Sequence, residues 1–343
     1  MPARATAAKA LTMTEPYRMP PEWAEQDWIW IGFPAAADLW LEDLEPAQEQ
    51  VAAFANAIAE TGQEVRLVVR DDASEAAARA LCVPGVTYER HAYGDIWLRD
   101  TGPLVLLDGA GNRAAQRFGF NGWGGKYLLE HDPEVGASLV AAGKLADLSQ
   151  ADWVLEGGAV DGDGTGLVVT TEQCLLNANR NPHLSKDEIA GRLARDLGFD
   201  KVLWLGNGLL GDHTDGHVDN LARFVAPGHL AIPVAVEEDD PNAATFDDAA
   251  ARAEAMGLTV SRIPSPGLMG DPDEGVEPAS YMNFVIANKV VVVPVYGSAQ
   301  DEAAVMAIAD LFPGRDIVGL MADAVLTGGG SFHCCSQHVP SSG

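Results

Sequence analysis

Five amphipathic stretches along the chain carry apolar residues at helical spacing. Each stops at a glycine and is followed by a short run rich in β-branched residues. PAQEQVAAFANAIAETG ends at Gly62 before QEVRLVV, and EVGASLVAAG ends at Gly143 ahead of DWVLEGG. SKDEIAGRLARDLG ends at Gly198 before FDKVLWL, FDDAAARAEAMG at Gly257 before LTVSRIP, and DEAAVMAIADLFPG at Gly314 before RDIVGL. A glycine there suits the left-handed cap that ends many helices. Further strands are expected at VTYERHAY, PLVLL, GLVVTT, ARFVAP and FVIANKVVVVPVYG. The stopping glycines stand 81, 55, 59 and 57 residues apart, a repeat of structure rather than of residue identity. A unit of strands plus one helix cannot bury its own apolar face. The pattern therefore predicts an α/β fold of five units packed around a shared axis, with an open α/β sheet as the competing arrangement. With no low-complexity linker, residues 16–343 read as a single catalytic domain behind a flexible tail at 1–15.

Composition narrows the function classes. Among 343 residues, 47% are apolar and 21% charged, an ordinary globular balance with no apolar run long enough for a membrane span. The Ala-rich start lacks the continuous apolar core of a secretion signal. Four cysteines in so long a chain are not a disulfide scaffold, so a cytoplasmic setting is expected. The 50 acidic against 22 basic residues give a net charge of −28. That field repels phosphate backbones and anionic membranes and permits a cationic small molecule.

The polar clusters fall in loops after these units. GDIWLRDTGP brings Asp95, Trp97, Arg99 and Asp100, WVLEGG brings Glu156, and GDHTDGHVDN brings Asp212, His213, Asp215, His217 and Asp219. GGGSFHCCSQ brings Gly330, His333, Cys334 and Cys335. Adjacent cysteines rarely bridge each other, which leaves a metal-ligand pair, one reactive thiol with a neighbour, or two small buried residues. If the units are radial, the loops converge and collect a thiol, an imidazole and several carboxylates. A buried guanidinium needs such carboxylates in its plane, a thiolate can attack its central carbon, and a histidine can move the protons.

DIWLRDTGP, WVLEGG, CLLNANRNP, DGHVDN and GGGSFHC, with MPPEWAEQDWIWIGFP near the start, resemble the agmatine deiminase and bacterial peptidyl-arginine deiminase family over about residues 17 to 340. The resemblance implies the pentein fold, a five-bladed α/β propeller of ββαβ-type repeats. It also implies hydrolysis of agmatine to N-carbamoylputrescine and ammonia through a covalent thiouronium on cysteine, with no metal and no organic cofactor. By motif, Asp100 and Asp219 hold the guanidinium, and His217 is the general acid/base. Glu156 binds substrate and orients that histidine, and Cys334 is the nucleophile. Cys335, Cys82 and Cys174 read as small buried residues. Trp97 is expected as an apolar wall of the substrate site. Asp215 and Asp212 are expected to compensate for His213, which stands where the family carries an acid, and Gly330 lies in the turn beside the nucleophile. Partners are expected to be the cationic substrate and a homo-oligomer.

Three alternatives are open at this stage. Free or peptidyl arginine would need a cation for its far end, with Arg180 the nearest candidate. A metallohydrolase would draw ligands from His217, Asp219, His333 and Cys334, although HxD and HCC lack the spacings of strong metal motifs. A non-catalytic binder of cationic ligands would not need the thiol.

Overall fold

The computed structural model describes residues 16–271 and 275–343. The tail expected at residues 1–15 lies outside them. Five three-strand units recur, each with an antiparallel pair joined to a third, parallel strand. In the second unit Leu104–Leu107 pairs antiparallel with Arg113–Gly119, and helix Asp132–Ala142 crosses to the parallel strand Ala146–Val154. The third unit runs Asp161–Gly162, Leu167–Thr171, helix Lys186–Leu197 and Lys201–Leu205. The fourth runs Arg223–Ala226, His229–Val234, helix Ala243–Ala255 and Thr259–Pro264. The fifth runs Val285–Ile286, Val290–Val295, helix Asp301–Ala309 and Asp316–Met321. The first unit is closed by the far end of the chain: Ser336–Pro340 pairs with Gln26–Gly32, followed by helix Leu44–Ala59 and strand Glu64–Val69. An extra helix, Asp72–Leu81, leads to a fourth strand, Val86–Arg90, in that sheet.

The first strands of neighbouring units touch, Ser336–Pro340 against Leu104–Leu107 and Asp161–Gly162 against Arg223–Ala226. The crossover helices bury one stripe each against their own strands; in Leu44–Ala59 the buried set includes Val51, Phe54, Ala55 and Ile58 at helical spacing. Central strands such as Val290–Val295 are buried on both faces, hence the run of valines from Val290 to Val293.

Two of the expected glycine caps differ. Gly62, Gly198 and Gly257 have φ of 88°, 78° and 83°, as a left-handed cap requires. Gly143 keeps a right-handed φ of −72°, and Lys144 takes the positive φ of 51° instead. The helix of the fifth unit ends at Ala309, before Gly314, and Pro313 between them lacks the amide that would extend it. The strands Arg113–Gly119 and His229–Val234 were not expected, nor was helix Asp72–Leu81.

Candidate active site

In every unit the polar residue of interest sits in a short turn just before the unit's first strand. Asp100 lies in the one-turn helix Leu98–Thr101 before Leu104, and Glu156 directly precedes the turn Gly157–Ala159 and strand Asp161–Gly162. Asp219 lies in the turn Val218–Asn220 before Arg223, Asn283 in Tyr281–Asn283 before Val285, and Cys334 two residues before Ser336. Five equivalent positions thus converge, and all five residues are buried.

Cys334 is held by its neighbours rather than by its own loop. The Asn283 carboxamide oxygen accepts from the His333 and Cys334 amides at 2.9 and 3.2 Å, while its Nδ2 donates to Cys334 Sγ at 3.0 Å. The thiol donates to Asp219 Oδ2 at 3.6 Å. Burial, with the charges of Asp219 and Asp100, pushes the Cys334 thiol well above its usual value. Cys335 points elsewhere: its Sγ lies 3.4 Å from the Phe332 carbonyl, against which its thiol donates, and it does not line the cleft. Because Phe332–Cys335 form a turn rather than an extended segment, the turn itself separates the two side chains.

Asp100 accepts from Trp123 Nε1 at 2.8 Å on Oδ2 and from the Gly158 amide at 3.0 Å on Oδ1. Burial, set against His217, raises its pKa. Asp219 accepts from His333 Nδ1 at 2.7 Å on Oδ2, while its Oδ1 is buried without a partner. Despite burial, the His333 contact keeps Asp219 below its usual value.

His217 is wholly buried with both ring nitrogens unpartnered, its Nδ1 3.7 Å from Asp100 Oδ1. Burial alone would lower its pKa, but Asp100, Cys174 and Glu156 outweigh that and push it well up. Its backbone is fixed because the His217 amide donates to Thr214 Oγ1 at 3.0 Å. Gly158 closes the group: a Cβ there would lie 2.6 Å from His217 Nδ1 and 3.0 Å from both Asp100 Oδ1 and Asp219 Oδ2. Only the absence of a side chain lets the three approach.

Glu156 Oε1 takes Arg180 Nε at 2.6 Å, and its Oε2 is unpartnered. Arg180 also donates to Asp215 Oδ2 at 2.8 Å and to the Thr214 carbonyl at 2.9 Å. Arg180 is therefore spent inside the protein and offers nothing to a substrate carboxylate.

Cys334 and Asp100 line a cleft of about 200 Å³. Glu156, His217 and Asp219 do not line it and adjoin it through those two, Asp219 Oδ2 lying 3.6 Å from Cys334 Sγ and His217 Nδ1 3.7 Å from Asp100 Oδ1. Trp97 lines it as expected, stacked at a tilt on Trp40 with ring centroids 6.1 Å apart. Asp95 braces that wall, accepting from Trp40 Nε1 at 3.0 Å and Trp97 Nε1 at 2.8 Å. Burial raises Asp95 to a pKa of about 6. Gly330 packs flat on Trp97, where a Cβ would meet the ring at 2.7 Å. The mouth is formed by Tyr127 and His213, stacked 5.9 Å apart with Tyr127 Oη 3.0 Å from His213 Nδ1.

Asp212 and Asp215 do not line this cleft. Asp212 accepts from the Thr214 amide and hydroxyl at 2.8 and 2.6 Å and so braces the loop under His217. Asp215 is taken by Asn179, Arg180 and Lys126, the last at 2.6 Å. Both are loop-building residues here, which corrects the expectation that they face substrate. The metal set drawn from His217, Asp219, His333 and Cys334 also does not form. His333 uses both ring nitrogens on carboxylates, Asp219 at 2.7 Å and Glu22 at 2.8 Å, leaving no lone pair for an ion. Among the described residues, the donor atoms grouped within 4.8 Å of one another belong to Glu156, Cys174 and His217. One oxygen of that Glu156 is already bound by Arg180.

The residues missed by sequence reasoning are Asn283, Trp123, Gly158 and Glu22. The repeat held the signal for Asn283: a cluster was recognised after four units, and the turn ASYMNF after the remaining one went unread.

Residues 18–340 match the family described as Porphyromonas-type peptidyl-arginine deiminase. The chain belongs to this family. Agmatine deiminase of Stutzerimonas stutzeri is 35% identical, the match covering 95% of this chain and 96% of that protein. The structure of agmatine deiminase of Enterococcus faecalis superposes with a TM-score of 0.88 at 32% identity, covering 97% of this chain and all of that one. A substrate-bound agmatine deiminase from C. jejuni gives 0.88 at 30% identity, covering 95% and 97%. The family's members resemble this chain along its length, so the α/β fold and the hydrolytic, C–N-cleaving class are shared. Among the described residues no helix is long and apolar enough to cross a membrane.

Proposed function

We propose that the protein is an agmatine deiminase, hydrolysing agmatine to N-carbamoylputrescine and ammonia on Cys334. The observation that carries this reading is the set of open valences beside the two cleft-lining groups Cys334 and Asp100. A buried carboxylate oxygen of Asp219, one of Glu156 and both nitrogens of His217 lack partners, beside a thiol and a second carboxylate. Unpaired buried polar atoms are costly, and a planar cation with five N–H donors satisfies the carboxylate oxygens, while the His217 nitrogens are left for proton transfer.

A guanidinium between Asp100 and Asp219 offsets the two charges that hold Cys334 protonated, so binding itself favours the thiolate, the thiol proton being released to solvent. Sulfur bonds to the guanidinium carbon, and His217, which is held cationic, gives a proton to one nitrogen. Ammonia leaves, with the C–N bond broken and a thiouronium on Cys334. Water then attacks the same carbon and His217 takes one of its protons; the C–S bond breaks, the remaining hydroxyl proton goes to the departing sulfur or solvent, and the ureido product leaves. Removing a clamping acid from a buried, bound guanidinium would cost about 3–5 kcal/mol, because the cation is then left uncompensated.

Agmatine is favoured over arginine because no Lys or Arg is among the described residues lining the cleft, and Arg180 is bound by Glu156 and Asp215. The aromatic walls suit an alkyl chain, and their faces attract a distal ammonium. We also read the five units as blades of a propeller around the convergent turns, residues 16–343 as one catalytic domain, and the protein as cytoplasmic and self-associating. The unit-to-unit contact of first strands supports the propeller and single-domain readings, and the four free cysteines support the cytoplasmic one. Ammonia release from chelator-treated enzyme on agmatine, arginine and a C-terminal arginine peptide tests the substrate. The expected order places agmatine first by at least an order of magnitude, and equal or faster turnover of arginine overturns it.

A further inference from the structure

Behind the substrate-facing groups lies a buried charge chain that the reaction does not directly use. Glu22, from the segment before the first strand, and His333, beside the nucleophile, are both buried. Glu22 Oε2 lies 2.8 Å from His333 Nε2, and His333 Nδ1 lies 2.7 Å from Asp219 Oδ2. An imidazole with a carboxylate on each nitrogen must donate from both, which only the imidazolium can do.

Glu22 is itself fixed by three further groups. Arg223 Nη2 donates at 2.7 Å, the Ile286 amide donates to Oε1 at 2.8 Å, and Arg99 Nη2 stands 3.8 Å away. Arg99 Nε also donates to the His333 carbonyl at 3.3 Å. The ring is therefore held from both its side chain and its backbone.

We propose that Glu22 and His333 form a positioning relay that turns the Asp219 carboxylate so that Oδ2 is tied back and Oδ1 is free for the guanidinium. The proposal rests on the reading that Asp219 faces substrate. Its physical content is a division of labour between the two oxygens. Oδ2 carries the His333 bond and the thiol contact, and Oδ1 carries none. Without His333 the carboxylate is free to rotate about its terminal torsion, which is broad and two-fold, and to take a proton. Around the relay, Glu22, Arg223 and Arg99 face the ring from one side, while Cys334, His217 and Asp100 face Asp219 from the other. His333 is the cation that directly bonds Asp219, and its loss moves that carboxyl upward. Glu22, His333 and Asp219 do not line the cleft; Glu22 and His333 act through Asp219, whose Oδ2 meets His333 Nδ1 at 2.7 Å and lies 3.6 Å from the Cys334 Sγ that does line it.

The test uses the full chain with His333→Gln, His333→Ala and the milder Glu22→Gln. His333→Gln is expected to lower kcat/KM on agmatine about 10²-fold, the scale of a misplaced reacting partner. The acidic limb of its pH profile moves up by about one pH unit, and added imidazole partly restores His333→Ala. Glu22→Gln shifts the limb in the same direction by less. A binding arm uses a Cys334→Ala background, in which calorimetric affinity for agmatine falls at acid pH earlier when His333 is also replaced. A third arm needs no substrate. Iodoacetamide labelling of Cys334 at pH 8 slows in His333→Gln, because the carboxylate 3.6 Å from sulfur loses its compensating cation.

An unmoved acid limb in folded His333→Gln and Glu22→Gln, with unchanged labelling, overturns the relay. If His333→Gln does not fold, Glu22→Gln decides by the same limb. If the wild type neither binds nor turns over any guanidine, the functional reading fails, and the labelling arm still judges the relay.

Discussion

Replacing Gly158 by alanine is the most local perturbation the site permits. The added methyl would lie 2.6 Å from His217 Nδ1, where ordinary contact begins at 3.4 Å, and 3.0 Å from an oxygen of Asp100 and of Asp219. Something must therefore move by several tenths of an ångström, up to roughly 0.8 Å at His217 if the ring alone yields. His217 cannot yield freely, since it is wholly buried with Glu156 and Cys174 beside it and its amide anchored on Thr214. A displacement near 1 Å of a reacting group costs about 10²-fold, equivalent to about 2.7 kcal/mol on the barrier. The backbone at Gly158 is not left-handed, so the fold should survive with an overpacking cost of about 1–3 kcal/mol. Steady-state ammonia release should show kcat/KM on agmatine down about 10²-fold, with near-native circular dichroism and Tm lower by a few degrees. Activity within threefold of wild type would refute the claim that Gly158 lets Asp100, Asp219 and His217 converge.

Cys335→Ala should keep most activity, because its thiol meets only the Phe332 carbonyl, whereas Cys334→Ala should abolish ammonia release. Iodoacetamide labelling of Cys334 in the free protein should still be accelerating above pH 9, since burial and two carboxylates raise the thiol; a plateau below pH 8 would contradict this. Asp132 is raised by burial to about 7, so the folded state binds more protons than the unfolded one between roughly pH 4 and 7. Its stabilising contribution is present below the unfolded pKa and lost as pH rises toward 7, and Asp132→Asn should raise Tm at pH 8 but not at pH 4. Arg180→Met leaves Glu156 buried without its ion-pair partner and should cost about 3–5 kcal/mol in chemical denaturation.

The repeat was legible in the sequence because a helix ending in glycine and a β-branched strand are local signals that alternate with different periods. Strand Arg113–Gly119 was not, since RAAQRFG carries three charged or amide side chains and little apolar alternation; it is a strand because two neighbours pair with it. Cys334, Asp100 and Asp219 were singled out from their motifs, and the structure brings Cys334 and Asp219 within 3.6 Å of each other. Asp212 and Asp215 were misread because sequence proximity to His217 says nothing about direction. Asp215, at φ 64°, turns its carboxylate toward Lys126 and Arg180 instead of the cleft. Glu22 and Asn283 reach the site from 311 residues before His333 and 51 before Cys334, separations at which no spacing rule operates.

Acid-quenched mass spectrometry of enzyme mixed with agmatine tests the central claim most directly. The peptide bearing Cys334 should gain the mass of agmatine less ammonia, appear within one turnover, and be lost in Cys334→Ala along with activity. Full turnover with no adduct on that peptide, or undiminished activity in Cys334→Ala, would contradict it.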